Sequence, residues 1–187
     1  HLVRAWHATW GLPVTVSHSG DNYGPRHFPE KLIPLMVVRA LSGEPLPIYG
    51  DGLQERNWLH VSDHVAGIRS VLAHGVPGRR YNFGGEGGRS NLDVVHAVCA
   101  ALDALRPDPA GSYARLIAHV ADRPGHDRRY AIDTRRARQE LGWAPRIPFI
   151  EGLRDTVRWY LEHGDWLAGV QGGRYREWVA RHYGGRA

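Results

Sequence analysis

Residues 12–35, LPVTVSHSGDNYGPRHFPEKLIPL, decide the fold. Residues 12–17 form a short β-branched run of the kind that suits a buried parallel strand. Turn formers crowd into residues 19–29, so a loop is expected directly beyond the strand's carboxyl end. Pro29 and Glu30 then open a helix, proline being tolerated in a first turn and glutamate favoured there by the helix dipole. That helix is expected to run to Leu41 and to end at Gly43. Strand, polar loop and helix in succession make the repeating unit of an α/β protein.

The alternation continues in both directions. Upstream, residues 1–10 read as the end of a helix, with Leu2, Val3 and Trp6 at helical spacing and Gly11 as its stop. Downstream, residues 46–49 are extended and closed by the turn Gly50-Asp51-Gly52. Residues 57–61 read as a strand, and Ser62-Asp63 as the cap of a helix reaching Ala73. Residues 80–83 are a strand ending in Gly84-Gly85. Ser90-Asn91-Leu92-Asp93 resembles a capping box opening a helix whose apolar stripe is Leu92, Val95, Val98, Cys99, Leu102 and Leu105. A strand at residues 115–120 leads into the loop ADRPGHDRRY, residues 121–130. Asp133 caps a short helix ending at Leu141-Gly142-Trp143. Ile150, Leu153, Val157, Tyr160 and Leu161 mark another helix, and residues 175–182 a last short one. A doubly wound sheet opens with a strand, a Gly-rich turn and a helix, and nothing of that kind is present, so the sheet is expected to be incomplete. The cluster Gly84-Gly85-Glu86-Gly87-Gly88 lacks the spacing of a dinucleotide turn.

Composition narrows the class. Hydrophobic residues make up 42% and charged residues 23% of the 187, ordinary values for a globular protein. No apolar run is long enough for a bilayer, and residues 1–10 lack the stretch a signal peptide needs, so a cytoplasmic protein with no membrane partner is expected. The single cysteine, Cys99, has no intrachain disulfide partner, and no Cys/His cluster has metal-ligand spacing, so no metal is expected. The formal charge of +5 raises the question of nucleic acid. The arginines are scattered, however, and no basic stretch interleaves with aromatics, so nucleic acid is not expected as a partner. Among 24 Lys and Arg residues Lys31 is the sole lysine, which hints that its position calls for an ammonium group.

Three loops stand at places where α/β sheets bind ligands, outside the carboxyl ends of strands. The first holds Asp21, Asn22, Tyr23, Gly24 and Pro25 before a helix start carrying Lys31. It reads either as a tight turn in which Asn22 bonds its own backbone or as an anion site. The second is Arg56, either a solvated arginine or a phosphate contact. The third, Asp122 to Tyr130, is either an exposed ion-pair network or a set of arginine forks with a histidine donor. Several cationic groups with no nucleophile elbow, metalloprotease motif or Walker loop nearby point to diphosphate binding rather than to an internal catalytic set. His60, in an aromatic strand, is expected to be packed rather than to act as a base.

The stretches HLVRAW, NYGPRHFPEKLIPL, LPIYGDG, RNWLHVSDH, YNFGG, NLDVV and ADRPGHDRRYAID resemble, in this order, the dTDP-glucose 4,6-dehydratases of the extended short-chain dehydrogenase/reductase family. LGW-x-P and WYLEH extend the likeness over essentially the whole chain. HFPEKLIPL together with DRPGHDRRYAID is the specific pair, since NYGP and YN-x-GG are shared with many sugar-nucleotide enzymes. The resemblance implies an incomplete NAD-binding Rossmann-type parallel sheet plus a smaller mixed α/β sugar-nucleotide-binding domain. Residues 1–20 and 57–86 would be remnants of the first, and residues 21–56 and 87–187 the second. It further implies that Asn22 contacts NAD, that Lys31 and Leu32 lie against the sugar nucleotide, and that Pro47, Ile48 and Tyr49 enclose its base. Arg56 would meet the diphosphate and Asn91 would add a polar contact. Asp122, Arg123, Pro124, Gly125 and His126 would form the other wall. Asp21 departs from the family's asparagine, and a carboxylate there would repel a diphosphate. The family's Gly-rich turn, Tyr-x-x-x-Lys pair and Asp-Glu pair all precede the position matching His1, so no catalytic residue is expected here. The expected whole is an NAD-dependent lyase acting on a dTDP-sugar, homodimeric through Val3 and Trp6. A related epimerase, dehydratase or decarboxylase, or a non-catalytic sugar-nucleotide-binding module, is the alternative.

Overall fold

The computed structural model describes residues 1–170 together with Gly172, Glu177 and Arg181. Apart from Glu177 and Arg181, the helix expected at residues 175–182 falls on residues outside the described ones. In chain order the elements are α1 (Leu2–Trp10), β1 (Val16–Ser19), β2 (Asp21–Tyr23), α2 (Leu32–Leu41), β3 (Leu46–Tyr49), β4 (Glu55–Arg56), β5 (Trp58–His60), α3 (Val61–His74) and β6 (Arg80–Phe83). There follow β7 (Arg89–Ser90), α4 (Asn91–Leu105), a 3-10 turn (Tyr113–Leu116), β8 (Ile117–Val120), α5 (Arg135–Leu141), α6 (Phe149–Glu162) and α7 (Gly164–Val170). The chain divides into two compact units. One holds residues 1–22, 56–88 and 130–149, the other residues 23–55, 89–129 and 150–187.

In the first unit β1 and β6 pair in parallel, from Val16 opposite Arg80 to Ser19 opposite Phe83. Leu59, Val71, Tyr81, Phe83, Ala137 and Trp143 form the core around them. Phe83 meets Trp143 edge to face at 4.7 Å, a favoured aromatic arrangement. Helix α3 lies so close to this strand that a Cβ on Gly67 would fall 2.7 Å from the Phe83 ring. Asp63, at 5% exposure, ties the far end of the unit down. One carboxylate oxygen accepts from the backbone N–H groups of Arg146 and Ile147, each at 3.0 Å. Its own carbonyl accepts from Trp143 Nε1 at 3.0 Å. Helix α1 ends at Gly11, whose left-handed φ of 66° no β-carbon opposes, and it buries none of its residues.

In the second unit β3 and β8 pair in parallel, from Leu46 opposite Ile117 to Tyr49 opposite Val120. Helix α2 contributes Ile33, Leu35, Met36, Val37 and Ala40 to the core, and α4 contributes Val94, Val95, Val98, Cys99 and Leu102. Pro34 sits in the first turn of α2, where no backbone donor is required. Helix α6 buries Leu153, Val157 and Tyr160, and the Tyr160 hydroxyl donates to the His27 carbonyl at 2.6 Å.

Several boundaries differ from expectation for local reasons. The first strand begins at Val16 rather than at residue 12, because Val14 N–H turns back to the Leu12 carbonyl at 2.8 Å. Helix α2 begins at Leu32, since Lys31 is extended and its N–H closes a turn onto Phe28 at 3.1 Å. The stretch expected as loop contains β2. The cap of α3 is His60, whose Nδ1 accepts from Ser62 N–H at 3.3 Å, so His60 terminates the helix rather than simply packing, and Ser62-Asp63 fall inside the first turn. Ile150 is 58% exposed and stands off the apolar stripe of α6. The Ser90 cap is as expected, its hydroxyl accepting from Asp93 N–H at 3.0 Å and donating to the Asp93 carboxylate at 2.7 Å.

Removing the Asp63 carboxylate strands two part-buried amides. Asp63→Ala is expected to lower the unfolding free energy by roughly 2 to 4 kcal/mol in urea titrations. A loss under ~0.5 kcal/mol would show that the 143–147 turn does not depend on it.

Candidate sugar-nucleotide site

The second unit gathers one polar cluster at the carboxyl ends of β3 and β8. Gly50, directly after β3, donates its N–H to the Val120 carbonyl at 2.9 Å, and the His119 ring donates to the Gly50 carbonyl at 2.7 Å. The left-handed φ of 57° at Gly50 turns the chain there. A β-carbon at this position would lie 3.1 Å from Asp122 Oδ2. The turn then meets the start of α4, where Leu92 N–H donates to Gly52 and Asn91 N–H to Gln54, both at 3.0 Å. Two of the helix's unpaired donors are thus spent on the turn.

The loop beyond β8 is organised by its own Asp122 and by Asp51 and Glu55 from the turn after β3. Asp122 Oδ1 accepts from His126 Nδ1 at 2.7 Å and from Arg123 N–H at 2.8 Å. Asp122 Oδ2 accepts from Gln54 Nε2 at 2.9 Å. The His126 hydrogen bond, more than any other influence, holds the Asp122 carboxyl below the usual carboxylate range. Asp51 grips Arg128 with both oxygens, at 2.9 and 2.8 Å, and accepts Leu53 N–H at 2.9 Å. The Leu53 bond first, then Arg128, lowers the Asp51 carboxyl as well. Glu55 pairs with Arg129 at 3.1 Å. The ion-pair reading of this loop is therefore correct for Arg128 and Arg129. Arg123 differs: among the described residues its guanidinium has no acidic partner. The His126 ring stands edge-on to Tyr49, with centroids 6.1 Å apart and planes at 85°.

The remaining residues singled out from sequence are placed as follows. Pro47 and Ile48 are buried in the core and Tyr49 is half-exposed, so Tyr49 is the member of that trio whose side chain solvent reaches. Asn91 joins the cluster through its backbone. Pro124 and Gly125 make the exposed turn between Arg123 and His126. Lys31 caps α2 and pairs with Glu30 at 3.1 Å, and Leu32 opens that helix. Asp21, Asn22 and Arg56 belong to the first unit. There Asn22 Nδ2 donates to Ser19 Oγ at 2.9 Å and to the Gly20 carbonyl at 3.2 Å. Its Oδ1 meets His64 Nδ1 at 2.9 Å, which assigns the proton to that ring nitrogen. Arg56 is buried to 7% exposure over the Tyr130 ring, 4.4 Å from its centroid, so it is not a solvated arginine.

Sequence reading missed Gln54, Asp51 and His64. Gln54 is 3% exposed, and its Oε1 has no partner among the protein atoms. A glutamine between a Gly-Asp-Gly turn and an arginine gives no warning that it will be buried. Among the described residues no group of His, Cys, Asp or Glu is arranged to hold a metal ion, and no helix is long and apolar enough to cross a membrane.

Two parallel strand pairs, each with a polar loop at its carboxyl end, define an α/β protein of the kind that binds ligands outside its strand ends. The chain belongs to the GDP-mannose 4,6 dehydratase family, whose pattern matches residues 1–156. It is 52% identical over 186 residues to the dTDP-glucose 4,6-dehydratase of Salmonella typhimurium, covering 100% of this chain and 51% of that one. It is 56% identical over 177 residues to that of Xanthomonas campestris pv. campestris, covering 94% and 50%. The solved dTDP-glucose 4,6-dehydratase of Bacillus anthracis, in complex with NAD, superposes with a TM-score of 0.81 at 42% identity, over 90% of this chain and 51% of that one. The Streptomyces venezuelae enzyme, also solved with NAD, gives 0.82 at 42% identity, over 90% and 50%. The chain spans about half the length of the curated relatives it matches.

Two histidines set a pH dependence. Burial depresses His64, and burial followed by the Lys31 charge depresses His27, from the model-compound value of 6.5. A lowered folded value means the unfolded chain takes up protons first as pH falls. Their contribution is full above pH 6.5 and is lost as pH drops below it. Urea unfolding is expected to show lower stability at pH 5.5 than at pH 7.5, with His64→Gln and His27→Gln flattening the difference. A slope unchanged in the double variant would refute this assignment.

Proposed function

We propose that this chain supplies the sugar-nucleotide-binding part of an NAD-dependent dTDP-glucose 4,6-dehydratase, the lyase that converts dTDP-glucose to dTDP-4-keto-6-deoxyglucose. The observation that carries the reading is the 121–130 loop. Asp51 and Glu55, from the turn after β3, neutralise its Arg128 and Arg129, Asp122 fixes His126, and the one guanidinium of the loop left without an acid is Arg123. A diphosphate suits that remainder, since an arginine fork binds phosphate oxygens in pairs. Identity above 50% to dTDP-glucose 4,6-dehydratases supports the choice of base and sugar. Tyr49 then lies against the base, Arg123 and His126 face the diphosphate, and Lys31 and Leu32 line the approach together with Asn91. The unit holding β1 and β6 serves as the remainder of the cofactor domain, and the unit holding β3 and β8 as the sugar-nucleotide domain.

NAD fits Asn22 in one way. Both amide hydrogens and one lone pair of Oδ1 are engaged, so the second lone pair is what the side chain offers. The chemistry NAD supplies when bound is reversible hydride transfer. No residue of this chain is assigned an acid, base or nucleophile role. The exposed apolar side chains of α1, Leu2, Val3, Trp6 and Trp10, suit a homodimer contact. Work in the cytoplasm agrees with Cys99, a buried thiol whose pKa burial pushes up to about 11.

The purified chain is expected to bind dTDP in calorimetry and to leave dTDP-glucose unconverted. Arg123→Ala is expected to weaken dTDP by about tenfold or more, as loss of a charge-assisted hydrogen bond requires. Turnover of dTDP-glucose by residues 1–187 alone, or an Arg123→Ala affinity equal to the parent's, would overturn the reading.

A further inference from the structure

A carboxylate in the wall of a diphosphate site is a liability, yet Asp122 directly precedes Arg123 and bonds the His126 ring four residues on. Its bonding explains why it is there. Both oxygens are already occupied by three donors: the His126 ring, the Arg123 backbone and the Gln54 amide. The Gln54 amide is oriented unambiguously, because an ionised carboxylate only accepts and so must face Nε2. That side chain is almost wholly buried, so Asp122 is braced from the protein interior. The Gly50 turn closes the same side, with room for no side chain beside Oδ2. On the opposite side, the bond to Asp122 fixes the His126 proton on Nδ1 and turns Nε2 away from the carboxylate. Tyr49 stands edge-on to the ring on its other flank.

We propose that Asp122 is a positioning residue: braced by Gln54, its carboxylate holds His126 with Nε2 toward the diphosphate and does not itself touch the ligand. This rests on the sugar-nucleotide reading of the site and replaces a direct contact by Asp122 with an indirect one. In the neutral ring Nε2 accepts a hydroxyl proton, and in the imidazolium it donates to a phosphate oxygen. Either contact needs the Nδ1-protonated orientation that Asp122 enforces.

The test uses the sign of the effect. If Asp122 merely places negative charge beside an anion, its removal tightens binding. If it positions His126, removal weakens binding. Asp122→Ala in the full chain is therefore expected to weaken dTDP about tenfold in calorimetry. Asp122→Asn is expected to stay within about threefold, since the asparagine oxygen still accepts from His126 while Gln54 turns over to accept from the new amide. In a His126→Ala background, Asp122→Ala should add no further loss. Nitrogen-15 spectra of the imidazoles supply a readout that needs no ligand. They should show His126 protonated at Nδ1 in the parent and in Asp122→Asn, and a tautomer mixture in Asp122→Ala. Tighter or unchanged binding in Asp122→Ala, or an Nε2-protonated neutral ring in the parent, overturns the proposal. If the parent fails to bind dTDP at all, the sugar-nucleotide reading falls, and the spectra still decide whether Asp122 sets the His126 ring.

Discussion

Parallel strand pairing is the constraint from which the rest of this structure follows. Neighbouring parallel strands run the same way, so the chain must cross the full length of the sheet between them. Strands β1 and β6 are separated by more than sixty residues, and β3 and β8 by about seventy. The first interval holds α3, which packs against β6, and the second holds α4, which packs against α2, the helix that in turn lies on β3. The same geometry leaves both strands of each pair ending at one edge. Beyond β3 and β8 that edge carries the Gly50 turn and the 121–130 loop, which is why residues as far apart as Gln54 and Asp122, 68 positions, meet.

Once loops are collected at an edge, buried polar groups decide their shape. A polar group inside a fold persists only where hydrogen-bond partners satisfy it. Asp63 does this for the 143–147 turn, through two backbone donors. Asn57 does it for the glycine-rich turn after β6. Its Oδ1 accepts from Gly85 N–H at 2.7 Å, and its Nδ2 donates to the Gly85 and Gly87 carbonyls at 3.1 and 3.0 Å. Gln54 and Asp122 do it at the candidate site. In each case a single side chain replaces the regular ladder that a loop lacks, and glycines nearby let the backbone come close enough to reach it.

This division explains what was legible in the residues and what was not. Apolar periodicity survives translation into structure, because burial selects it residue by residue. The stripe of α4 and the Ser90 cap were readable for that reason, as were the strand at residues 80–83 and the glycine stops at Gly11 and Gly142. Boundaries failed where a backbone bond a few residues away overrode local preference. Lys31 is extended because its N–H serves the 28–31 turn, and His60 caps α3 because its ring reaches Ser62 before Ser62 can act. The site loops were located by their turn residues and charge, while their internal pairing was hidden. Nothing in ADRPGHDRRY alone says which arginine goes to Asp51, which to Glu55 and which to neither.

That last distinction carries the functional argument. Two adjacent arginines repel each other, and the fold relieves this at Arg128 and Arg129 by supplying acids from the turn after β3. Asp51 and Glu55 flank Gln54, so one short segment neutralises Arg128 and Arg129 and braces Asp122 at once. Exposed pairs of this kind add little stability by themselves. Their consequence is selective. They engage two of the loop's three arginines with acids and leave the Arg123 guanidinium without one, so that a loop dense in charge is less of a diffuse positive surface than its sequence suggests.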